Sequence, residues 1–156
     1  MELKHMIHWG KADARIIEDA FGVELPSCVH DFYSEIKECV LNWKESYQIL
    51  SPQDVVDWEK LNRETSDEED LPIRLIRFCK VVASSDSISL RKNTKNDHWN
   101  IQYNSLDYRT KVFQSAEFDT ELILADNLDE WLLKLMANDG ILDPDEPQYL
   151  PLERIA

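Results

Sequence analysis

Near Pro72 the hydrophobic pattern of this chain passes from mainly helical spacing to strand alternation, with helical spacing returning only near Asp126, and that change restricts the fold more than any other feature. Upstream, apolar residues recur every three or four positions, the spacing of a buried helix face. Downstream they alternate, the spacing of a half-buried strand. Ala12, Ile16, Ile17, Ala20 and Phe21 make one stripe, which predicts a first helix over Ala12–Phe21 with Gly22 as its left-handed stop. Pro26 then opens a second helix, where a missing N–H costs nothing, and Val29, Phe32, Tyr33 and Ile36 supply its face. Trp43, Tyr47 and Ile49 within Val40–Leu50 predict one strand or a short hairpin. Ser51-Pro52-Gln53-Asp54 is a helix start with an N-cap serine, proline at the first helical position and an acid at the third. Val55, Trp58 and Leu61 are the expected buried side of that third helix, which should end near Thr65.

Beyond the acidic loop Thr65–Asp70, Ile73–Val82 is β-rich, Ile88 and Leu90 alternate with Ser87, Ser89 and Arg91, and Trp99, Ile101 and Tyr103 alternate again after the polar turn Asn93–Asp97. Tyr108–Gln114 is a candidate further strand. A closing helix is expected with Asp126 as N-cap, Asp129 at the third position, an apolar face of Leu128, Trp131, Leu132, Leu135 and Met136, and Gly140 as its stop. The order predicts a single α+β domain over residues 1–140, an antiparallel-rich mixed sheet with helices packed mainly on one face. Residues 141–156 hold three of the six prolines and predict an acidic, extended C-terminal tail.

Composition narrows the function classes. At 156 residues the chain is long enough for one real core. Seventeen Lys plus Arg against 31 Asp plus Glu give a formal charge of −14. Such a surface repels phosphate backbones and anionic leaflets, so neither nucleic acid as a direct ligand nor a membrane is an expected partner. No segment approaches the roughly 20 apolar residues of a membrane span. The N-terminal stretch has no apolar core or small-residue cleavage site of a secretory signal, so the cytoplasm is the expected compartment. Cys28, Cys39 and Cys79 are odd in number and widely spaced, which suits reduced thiols better than a disulfide framework.

Few residues suggest catalysis. With only three glycines, a phosphate-cradling loop or dinucleotide fingerprint is excluded, and no cofactor is expected. His5 and His8 lie within one turn of each other but lack a third ligand nearby, so a frayed N-terminal pair is expected instead of a metal site. Cys28 and His30 fall on different sides of a helix and are expected as a small buried thiol and an exposed ring. His98 beside Asp97 is expected to serve a turn; only a cleft joining it to a carboxylate would suit an enzyme. No nucleophile elbow is present.

The acidic excess is uneven. Residues 1–50 carry 5 basic and 9 acidic residues, 51–100 carry 8 and 10, and 101–156 carry 4 and 12. Two stretches dominate. Asp67, Glu68, Glu69 and Asp70 are consecutive, and Glu117–Glu146 holds ten acids against Lys134 alone, with Glu117, Asp119 and Glu121 at strand period. Each stretch is either a solvated face or a docking surface for a basic partner. Arg91, Lys92 and Lys95 form a small basic turn, too small to outweigh them. Trp99 and Tyr103 are expected in the core; an exposed aromatic there would be an interface anchor.

The order of these pieces resembles the SUKH superfamily, whose namesakes are the fungal Smi/Knr-type cell-wall regulators. The similarity runs through GVELP, VHDFYSEI, ILSPQDV, IRLIRFCKVVASSDSISL, HWNIQYNS and LADNLDEWLLKLM, covering Ala12–Ala137. Two places depart from the family pattern: IKECVLN lacks the glycine turn that often ends the second helix, and Ser85-Asp86 stands where a Gly-Asp is usual. The resemblance implies a binding protein, most bacterial members being immunity proteins against polymorphic or contact-delivered toxins, many of them nucleases. On that frame the carboxylates would substitute for phosphate against a basic nuclease toxin, with Asp67, Glu68, Glu69, Asp70, Asp119 and Glu121 as the expected toxin-binding residues. The alternative that the resemblance offers is a Smi/Knr-like regulatory scaffold with several protein partners.

Overall fold

A computed structural model describes residues 4–64, 75–93, 96–104, 120–140 and 148–151. Its elements are β1 (Met6–Trp9), α1 (Arg15–Phe21), α2 (Ser27–Glu35), β2 (Ile36–Asn42), β3 (Ser46–Ile49), α3 (Pro52–Glu64), β4 (Leu75–Val81), β5 (Ser87–Lys92), β6 (Trp99–Asn104), β7 (Thr120–Ala125), α4 (Leu128–Ala137) and β8 (Gln148–Pro151). The eight strands pair strictly in chain order, β1 to β8, and every pairing is antiparallel. The α+β class therefore holds, but the sheet is a pure antiparallel meander and not mixed. Gln148–Pro151, inside the segment read as a tail, pairs with β7 and forms one edge of the sheet. The candidate strand Tyr108–Gln114 and the loop Thr65–Asp70 lie outside the described residues.

Local chemistry explains where elements begin. The first helix starts at Arg15 and not Ala12, because the Ala12 amide donates to the Tyr33 carbonyl at 2.7 Å instead of entering a helical ladder. The Asp13 carboxylate then accepts from the Arg15 amide at 3.0 Å and from its guanidinium at 2.9 Å. Gly22 ends the helix in the left-handed region, as its position predicted. Pro26 is the N-cap of α2 in extended conformation, one position earlier than expected. Ile36 does not extend the α2 face: it is already extended, and α2 passes straight into β2. β2 and β3 form the hairpin that was one of two options for Val40–Leu50.

Registers bring the core together. Ile76, Leu90, Ile101 and Ala125 stand side by side across four strands, all buried. Ile17 of α1, Val29, Phe32 and Tyr33 of α2, and Leu128 of α4 close over Ile49, Phe78 and Leu90, leaving a cavity of about 10 Å³, no larger than a water molecule. These three helices share that face, while α3 lies against α1 and β4. The Tyr33 hydroxyl donates to the Leu50 carbonyl at 2.7 Å, satisfying the one polar atom that a buried tyrosine brings with it.

The third helix keeps its expected start but not its expected face. Ser51 Oγ accepts from the Asp54 amide at 3.2 Å, closing the cap. The buried residues are Pro52, Val55, Val56 and Glu59, whereas Trp58 is half-buried and Leu61 is 58% exposed. The rotation of the face follows from one ion pair. Arg77 of β4 donates through Nη1 to both oxygens of Glu59, at 2.9 and 3.1 Å, and carries a carboxylate that is only 1% exposed. Burial pushes the Glu59 pKa upward, against the pull of Arg77.

Candidate functional site

The residues expected to bind a partner fall unevenly on this frame. Asp67, Glu68, Glu69, Asp70 and Asp119 lie outside the described residues. Glu121 is in β7, opposite Leu150 of β8, so it sits on the second-outermost strand of the sheet. Asp126, Asp129 and Glu130 gather at the start of α4, where carboxylates are favoured by the helix dipole. The cap there is Asn127, not Asp126: its side chain accepts from the Glu130 amide at 2.9 Å. The helix is thus capped one residue later than expected and without the reciprocal bond of a capping box, since Glu130 reaches back past the cap to accept from the Asp126 amide at 3.0 Å. That bond and the nearby Lys134 ammonium hold the Glu130 carboxyl below its usual range. The face of α4 is narrower than expected, since Met136 is 61% exposed.

The small basic turn dissolves as a charge cluster. Arg91 is 1% exposed, and Lys92 lies near Asp97 at 3.5 Å and above the Trp99 ring at 5.9 Å. Strand β5, expected to be half-buried, is buried on both sides. Ser87, Ser89 and Arg91 face Asn104, Gln102 and Asn100 across the β5–β6 ladder, and all but Asn104 are buried. The serines and amides of this row partly serve one another. Asn104 Nδ2 donates to the hydroxyls of Ser87 (3.3 Å) and Ser89, and Gln102 Nε2 donates to Asn104 Oδ1 at 2.8 Å. The same strand alternation that puts Ser89 on this side puts Trp99 and Ile101 into the core, as expected, while Tyr103 is half-buried with its hydroxyl on Asp86.

The histidines are tied to neighbouring residues by polar contacts. His8 belongs to β1 and contacts Glu38 of β2 at 2.9 Å, and His5 accepts the Asn42 amide at 2.9 Å while stacking edge-on against Trp43. The N-terminal pair is thus not frayed, because β1 adds to the β2–β3 hairpin. His98 contacts the Asp126 carbonyl at 2.9 Å, tying the β5–β6 turn to the end of β7. His30 is half-exposed and pairs with Glu18 at 3.1 Å, and Cys28 is partly exposed where a buried thiol was expected. Among the described residues no group of three or more His, Cys, Asp or Glu is placed to hold a metal, and no helix is long and apolar enough to cross a membrane.

One feature of the surface had no counterpart in the sequence pattern. Strand β1 is an outer strand of the sheet and carries Trp9, which is 67% exposed, beside Met6, also exposed. Its register slips between His8 and Trp9, where Lys37 of β2 is left without a partner. The only sequence signal was an aromatic residue directly before a glycine in an apolar tetrapeptide, Met6-Ile7-His8-Trp9, too short to show a period.

No family model matches this chain, and no curated protein matches it.

Proposed function

We propose that this protein acts by binding, as an immunity protein that occludes the active site of a cognate toxin, with a basic nuclease as the toxin class that best suits its surface. The observation that carries this proposal is the concentration of the −14 charge, with four consecutive carboxylates at Asp67–Asp70 and a second acidic stretch around Asp119 and Glu121. Carboxylates arrayed in this way can take the places that phosphates occupy against Lys and Arg in a nuclease groove, and complementary fields accelerate such encounters. The SUKH resemblance supports it too: the motifs GVELP, VHDFYSEI, ILSPQDV, HWNIQYNS and LADNLDEWLLKLM follow one another in the family's order across Ala12–Ala137.

The test is co-expression with the product of the adjacent upstream gene. The proposal expects that product to arrest growth alone and growth to resume when this chain is present. A non-toxic product, or toxicity that this chain does not relieve, overturns it.

A further inference from the structure

The two edges of the sheet are chemically different. β8 contains Pro151 and follows Pro147, and proline offers no N–H to an incoming strand. The segment Lys4–Lys11 around β1 contains no proline, and among the described residues β1 is hydrogen-bonded to β2 on one side only. Beyond β1, Gly10 adopts a φ of 139°, and a Cβ there would stand 2.7 Å from Lys37 Cε. The turn is therefore built for glycine, and it fixes the position at which Trp9 leaves the strand. A tryptophan this exposed has more to gain from burial by a partner than any other side chain on the edge.

The charge around this edge is opposite in sign to that of the chain. Lys4, Lys11 and Lys37 are all exposed there; of the nearby acids, Glu38 is engaged by His8, and Glu35 is exposed beside Gly10, so the lysines outnumber the free carboxylates. We propose that the β1 edge docks an extended, acidic segment of a partner protein, which adds to the sheet as a further strand and packs against Trp9. Main-chain bonds to β1 supply affinity, Trp9 supplies the anchor, and the lysines select acidic flanks. A second copy of β1 is disfavoured in the most symmetric register. An antiparallel pair centred between Ile7 and His8 would set Lys4 directly opposite Lys11, and like charges so placed are destabilising. The inference stands apart from the immunity proposal, whose expected partner is basic and is met by other residues.

A random dodecapeptide display selection against the full chain tests it, followed by fluorescence anisotropy of the strongest selected peptide. The expected peptides carry Asp or Glu on both sides of a short β-branched or aromatic run. Their affinity should fall at least about tenfold with Trp9→Ala, fall with the double change Lys4→Glu and Lys11→Glu, and vanish when alternate backbone nitrogens of the peptide are methylated. Methylation leaves the protein untouched, so it decides the matter even if a variant misfolds. Enrichment of basic peptides, no enrichment, binding that survives methylation, or an edge occupied by self-association in sedimentation would each overturn the proposal.

Discussion

Tyr47, in the middle of the hairpin strand β3, donates its hydroxyl at 2.7 Å to the carbonyl of Gly140, which lies two residues beyond Asn138, the C-cap of the last helix, and not at the helix end where it was expected. The bond is buried and spans 93 residues of sequence, and it locks the N-terminal hairpin to α4. Tyr47 also meets Trp131 of α4 edge to face at 6.1 Å, and Trp131 meets Phe78 in the same way at 5.7 Å. Removing the hydroxyl with Tyr47→Phe leaves a buried carbonyl unpaired and should cost about 1–3 kcal/mol in urea unfolding. Gly140→Ala should cost at least as much, because φ is 79° and the new Cβ would lie 2.6 Å from the Trp43 ring.

The Glu59–Arg77 pair predicts an asymmetric mutant series. Deleting one partner with Arg77→Ala leaves Glu59 buried without its bound cation, a loss of about 3–5 kcal/mol. The joint change Glu59→Leu with Arg77→Met should recover most of that loss, since neither charge then has to be buried. Because the folded pKa of Glu59 is raised, its stabilising contribution belongs to the low-pH side and fades as pH rises through the folded value. Glu59→Gln should therefore flatten the decline in stability as pH climbs from the ordinary carboxylate range toward neutrality, measured by urea midpoints over that range.

Cys39, Ile49 and Cys79 occupy one row across β2, β3 and β4, so the two thiols stand two strand spacings, roughly 10 Å, apart. A disulfide cannot close that gap. Burial pushes the Cys39 thiol up to about 11 and the Cys79 thiol upward as well. In native protein a thiol reagent near pH 8 should titrate Cys28 promptly and the other two only after denaturant is added. Prompt reaction of all three would contradict this packing.

The cap of α4 gives a direct comparison between two neighbouring residues. Asn127→Ala should cost about 1 kcal/mol, the usual worth of a capping side chain. Asp126→Ala should cost less, because its carboxylate accepts only a long 3.4 Å bond from Asn100, while its amide and carbonyl bonds survive the change. Thermal unfolding of the two variants measures the difference.

These residues also show what was legible in the chain. The Ser51-Pro52 start and Gly22 are local signals, and each kept its meaning in the fold, whereas the change of period near Pro72 did not divide helices from strands, since β1, β2 and β3 precede it and α4 follows it. Asp126 and Asn127 are chemically equivalent as caps, and only the arrival of β7 chooses between them. The α3 face was misjudged because hydrophobicity favours Trp58 and Leu61, whereas the facing Arg77 draws Glu59 inward from another strand. Strand β1 escaped notice because four residues show no period, and its partner β2 comes only after two helices. Of the acidic residues expected to bind, only Glu121 falls among the described residues, in β7 opposite Leu150.

The most direct measurement is the affinity of this chain for the product of the adjacent upstream gene, titrated calorimetrically from low to high salt. Docking through Asp67–Asp70 and the second acidic stretch predicts a one-to-one complex whose affinity falls steeply as salt screens the contact, and falls again when those four carboxylates become amides. A complex indifferent to salt and to their neutralisation, or no complex at all, would contradict the account.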